Sequence, residues 1–111
     1  MAFKQLGQTR PPTLDTFVSI YSPPADVLAS SLVLTITNVT GTDSTYRVCQ
    51  DDNGTTYDES TALAWDVPIL ANATAKLNVG PMNDSTGNLA VASDLGNANN
   101  FTLHGNEILA T

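Results

Sequence analysis

Leu28-Ala29-Ser30-Ser31-Leu32-Val33-Leu34-Thr35-Ile36-Thr37-Asn38-Val39 is the stretch that decides the fold. Leu28, Leu32, Leu34 and Ile36 fall on one face at a period of two. Ser31, Thr35 and Thr37 fall on the other, with Val33 among them. Successive side chains of an extended chain point to opposite sides, so this alternation predicts a strand with one face in a core. Its branched Val, Ile and Thr residues suit a pleated surface and crowd a helix.

The same period recurs outward from this segment. Upstream, Leu14 to Ile20 predicts a strand stopped by Pro23-Pro24. Downstream, Gly41 and Asp43 supply a turn, and Thr45 to Gln50 sets Tyr46 and Val48 opposite Arg47 and Cys49. Leu63, Trp65, Val67 and Ile69 alternate next, interrupted by Pro68. Proline cannot donate to a ladder, so that strand is expected at a sheet edge or bulge. Ala75, Leu77 and Val79 follow, then Leu89 to Ser93 after a loop at Asn83-Asp84, and last Phe101 and Leu103. About seven short strands at this spacing predict a single small antiparallel β-sandwich, jelly-roll or immunoglobulin-like, over residues 14–111. Its predicted core is Leu34, Ile36, Trp65, Val67, Leu77, Val91, Phe101 and Leu103.

Residues 1–13 read differently. They hold Lys4 and Arg10 and no acid, and end near Pro11-Pro12, which stiffens the chain toward an extended form. They are expected to form an extended N-terminal arm. Phe3 and Leu6 would be its apolar anchors for a partner, and Lys4 and Arg10 its charges.

Composition narrows the function. The 111 residues carry a formal charge of −7, from 4 Lys and Arg against 11 Asp and Glu. Nucleic-acid binding needs clustered cations, so no nucleic-acid partner is expected. One cysteine, Cys49, and one histidine, His104, supply neither an intrachain disulfide nor a multi-ligand zinc site. The acids Asp51, Asp52, Asp58 and Glu59 lack the spacing of a twelve-residue calcium loop and read as a solvated loop. No nucleophile motif surrounds His104 or any serine, and no phosphate-cradling glycine loop occurs. The chain is therefore read as a non-enzyme with no catalytic residue, cofactor or metal. Met1 to Arg10 has no apolar run of signal-peptide length, and no stretch approaches a membrane span. Cytoplasmic synthesis is expected, and the five Asn-x-Ser/Thr sequons are read as a by-product of composition.

Several short motifs occur in a telling order: Met1 to Gln8, Tyr21-Ser22-Pro23-Pro24-Ala25, Ser30 to Asn38, Thr45 to Val48, Trp65 to Ile69, Ala71-Asn72, Leu89 to Ser93, and Phe101 with Gly105 to Ile108. In this order the chain resembles small virion structural proteins of tailed bacteriophages, notably cyanophages. It departs from them in the acidic excursion Gln50 to Ser60. The resemblance implies an all-β structural role in the particle. On it rests the expectation of a capsid decoration or cement protein, made in the host cytoplasm and located on the virion. It would contact the major capsid protein and form a homo-oligomer, a trimer being a natural form. A tail, baseplate or receptor-binding component is the alternative. A carbohydrate- or ligand-binding module is more remote.

Overall fold

The computed structural model describes residues 3–82 and 87–109. Eight strands run in chain order: β1 Phe3–Thr9, β2 Val18–Tyr21, β3 Val27–Asn38, β4 Ser44–Asp51, β5 Ala62–Ile69, β6 Thr74–Val79, β7 Asn88–Ser93 and β8 Asn99–Leu109. They form two four-stranded antiparallel sheets, ordered β1-β8-β3-β6 (sheet A) and β2-β7-β4-β5 (sheet B). The chain is an all-β sandwich, and these strand orders are those of a jelly roll rather than an immunoglobulin domain.

The core lies between the sheets. On sheet A, Leu34 stands between Leu103 and Leu77, and Ile36 between Phe101 and Ala75. On sheet B, Val48 stands between Val91 and Ala64. Leu34, Ile36, Val48, Val91, Phe101 and Leu103 are fully buried. Val67 and Leu77 pack against this core while partly buried. Tyr46 meets Phe101 edge-on across the sheets, ring centroids 6.4 Å apart, the arrangement favoured by aromatic quadrupoles.

Two bulges change which side chains face inward. Ser31 takes a left-handed φ of 54° inside β3, where the register with β8 slips between Ser30 and Val33. One extra residue reverses the faces. Ala29, not Leu28, therefore joins Leu32 and Leu34 in the core, and Leu28 is only half-buried. Asp66, φ 53°, does the same in β5, where Tyr46 pairs with Val67 but Val48 pairs with Ala64. Ala64 is buried in consequence. Trp65, expected in the core, lies half-buried on the outer face of sheet B. Pro68 sits on β5, an edge strand, where its missing N–H leaves no ladder bond unmade.

The expected first strand begins late. Asp15 has φ 51°, so Leu14 lies in a turn, 57% exposed, and β2 starts only at Val18. Residues 3–9, read as an arm, are instead β1, an edge strand hydrogen-bonded along β8. Leu6 packs against the core, and Pro11 is fully buried, its carbonyl accepting from the Asn97 N–H at 2.9 Å. Gly7 lets β1 close over β2: a Cβ there would lie well inside van der Waals contact of the Ile20 carbonyl oxygen. The Asn83-Asp84 loop and the Phe3 side chain lie outside the described residues.

Buried polar groups close one end of the sandwich. Asn38 Nδ2 donates to the Thr42 and Ile69 carbonyls, and its Oδ1 accepts from Thr40 N–H and hydroxyl. Asn99 Nδ2 donates to the Ser44 and Ser93 hydroxyls. Asp94 accepts from Ser44 Oγ at 2.5 Å and Thr45 N–H at 2.9 Å. Burial pushes the Asp94 carboxyl up, but these donors outweigh it and hold it below the ordinary range.

Candidate functional site

The two outer faces differ in chemistry. Strand register fixes rows of side chains across the outside of sheet A: Gln8, Thr102, Thr35 and Lys76 in one, and Gln5, His104, Val33 and Asn78 in the next. Asn100, Thr37 and Thr74 make a third, where the two threonine hydroxyls lie 3.3 Å apart. Arg10 follows the end of β1 beside that row. The described part of this face is mostly polar along these rows, with Val33 among them and Leu28 and Ile108 as an apolar pair toward its other end. It carries the cations Arg10 and Lys76 and no carboxylate, and neither cation makes an ion pair among the described residues.

At its β1–β8 end the face is indented by a cavity of about 320 Å³, lined by Gln8, Thr9, Arg10, Asn100, Phe101 and Thr102. Phe101, also in the lining, is fully buried and belongs to the core.

Sheet B presents aromatic and acidic groups. Arg47 reaches from β4 to Asp66 on β5, its Nε 2.6 Å from Oδ1 and its second nitrogen 3.3 Å from Oδ2. The guanidinium carbon sits 4.1 Å above the Trp65 ring centroid, a cation–π contact. Phe17 packs beside both Trp65 and Tyr57, at centroid distances of 6.3 and 5.6 Å. The small residues Ala90, Ala92 and Cys49 are fully buried although they alternate with the core side chains of β7 and β4. Burial pushes the Cys49 thiol up, so it is not poised as a thiolate.

The acidic excursion after β4 is held by its own backbone. Asp51 accepts from the N–H groups of Asn53 and Thr56 at 3.0 and 2.8 Å. Asp58 caps a single 3-10 turn, Glu59–Thr61, accepting from Ser60 N–H at 2.8 Å. Both carboxyls are held below their usual range by these donors, Asp51 chiefly by its two backbone N–H groups and Asp58 first by the Ser60 hydroxyl. Among the described residues no three His, Cys, Asp or Glu side chains converge as metal ligands do.

The four residues read from sequence as partner contacts part company. Leu6 faces the core. Lys4 pairs with Glu107 at 3.1 Å. Arg10 lines the cavity, and the Phe3 side chain lies outside the described residues. Sequence reasoning missed Gln8, Asn100 and Thr102, because only the β1–β8 register brings them together. It missed the Trp65 cluster because of the Asp66 bulge. Among the described residues no helix is long and apolar enough to cross a membrane. Comparison of the chain with protein-family models, curated proteins and solved structures finds no match to any of them.

Proposed function

We propose that this chain is a non-enzymatic structural protein of a tailed-bacteriophage virion, one that decorates the capsid and cements neighbouring major capsid subunits. The observation that carries this reading is the charge division of the sandwich. The described outer face of sheet A holds two cations and no acid, while Asp51, Asp52, Asp58, Glu59 and Asp66 belong to sheet B and its loop. A domain divided in this way presents a largely hydrogen-bonding face to a partner and keeps an acidic side outward. Contacts of modest strength suffice when many copies occupy a lattice. On this reading the protein is made in the host cytoplasm and sits as a homotrimer at threefold positions of the lattice.

The sequence resemblance supports the same reading. Its motifs fall on β1, the β2 end, the bulged β3, β4, the bulged β5 and β8, the segments that define the fold. Viral capsid domains and lectins both use jelly rolls, an analogy of fold alone.

A carbohydrate-binding module is the second reading, favoured by Trp65, Phe17 and Tyr57 lying on an outer face. Against it, Arg47 already occupies a stacking position over the indole that a sugar ring would use.

The test is to mix purified protein with undecorated capsids and with isolated tails, at low and high salt, and to measure occupancy. Saturable binding to capsids that weakens with salt is expected. Binding to tails alone would move the protein to the tail or baseplate, and binding only to glycans would favour the second reading.

A further inference from the structure

We propose that the cavity at the β1–β8 end of sheet A receives a single carboxylate, the side chain of an aspartate or glutamate projecting from the protein against which this face docks. The inference rests on the reading of sheet A as the contact face. The lining carries one charge, the Arg10 guanidinium, which makes no ion pair among the described residues. Around it stand the side chains of Gln8, Asn100 and Thr102, which strand alternation puts on the same face. A guanidinium fork matches a planar carboxylate with two parallel hydrogen bonds, and neighbouring amide and hydroxyl donors satisfy the remaining lone pairs.

The register fixes this arrangement. Gln8 pairs with Thr102 and Thr9 with Phe101, so two hydrogen-bonded strands set the lining except for Arg10, which directly follows the end of β1. A volume of about 320 Å³ leaves ample room for a carboxylate.

One cation suits a monoanion better than a phosphate. The other unpaired cation of the face, Lys76, lies three strands away, roughly 14 Å at the usual strand spacing. Lys4 is already engaged by Glu107.

The experiment needs no capsid, so its outcome is separate from that of the decoration reading. The full chain, labelled with ¹⁵N, is titrated at low salt with the blocked peptide acetyl-Gly-Glu-Gly-amide and with its Gln counterpart. Glucuronate and inorganic phosphate serve as further probes. Saturable shifts confined to residues 8–10 and 100–102 are expected with the Glu peptide and not with the Gln peptide. Arg10→Lys should weaken binding about fivefold, because the charge stays and the fork is lost. Arg10→Gln should abolish it. Both variants should keep the wild-type melting temperature, since Arg10 is exposed. Equal shifts with the Gln peptide, tighter binding of phosphate, or binding of glucuronate without the Glu peptide would each overturn the proposal. So would shifts centred on Lys76.

Discussion

Tyr21 of sheet B donates its phenolic proton to Glu107 of sheet A across 2.5 Å, tying the two layers of the sandwich together at their rim. Tyr21 is 8% exposed. Burial first, and then the neighbouring carboxylate, push its phenol far above the ordinary value. In turn the Tyr21 hydroxyl, aided by Lys4, holds the Glu107 carboxyl below its usual range against the opposing effect of burial.

This pairing predicts an acid-labile fold. A carboxyl whose folded pKa is depressed contributes stability fully above its unfolded value, about 4.3 for Glu. It loses that contribution as pH falls through the folded value. Asp94, also depressed, adds to the trend. Stability measured by urea unfolding should fall between about pH 5 and pH 3. Glu107→Gln should flatten that dependence, and Glu107→Ala should cost about 1–3 kcal/mol by leaving the Tyr21 hydroxyl unpaired. Lys4→Ala should cost under about 1 kcal/mol, because that ion pair is solvent-facing on the Lys side, 56% exposed.

Truncation of residues 1–10 should destabilise the domain rather than spare it. It removes β1 from β8, strips Leu6 from the core and exposes an unpaired edge. A lowered melting temperature with increased aggregation is the expected result, read by calorimetry and light scattering. Gly7→Ala should act in the same direction, because its Cβ meets Ile20 Cγ1 at 3.2 Å and the Ile20 carbonyl oxygen closer still.

Trp65→Ala should cost about 1–2 kcal/mol, through a half-buried ring and one cation–π contact. Phe101→Ala should cost about 3–5 kcal/mol, the range for a fully buried aromatic. Denaturant unfolding of both variants checks the order. Equal costs would contradict the outward placement of Trp65.

Ser31 offers a test of the β3 bulge. At φ 54° a branched residue is strained, so Ser31→Val should cost about 1–2 kcal/mol. Ser31→Gly should be close to neutral, since glycine adopts that conformation freely but loses more entropy on folding. If both variants cost the same in denaturant melts, the left-handed bulge is not what sets the register.

Alternation made the sandwich legible because most strands keep strict period two. It failed locally at Leu28 and Trp65, each separated from the rest of its strand's apolar set by a single left-handed residue. Serine and aspartate carry no obligatory signal for that conformation, although an aspartate within a strand is a hint. The arm was misread because Gly7 and the residues around it show no alternation. β1 is recruited by β8, some ninety residues later in the chain. The cavity was invisible for the same reason, except for Arg10, whose charge stood out in an acidic chain.

The strand order of sheet A also governs when the protein can become itself. β8 is the last of the eight described strands to be synthesised, yet it lies between β1 and β3 and pairs with both. On the ribosome, β1 waits for its partner until nearly every other strand has emerged. Closing such a long loop makes folding slow. The face formed by β1, β8, β3 and β6 comes into being only once β8 has been made, so a chain that stops short of β8 has neither β1 in place nor that face.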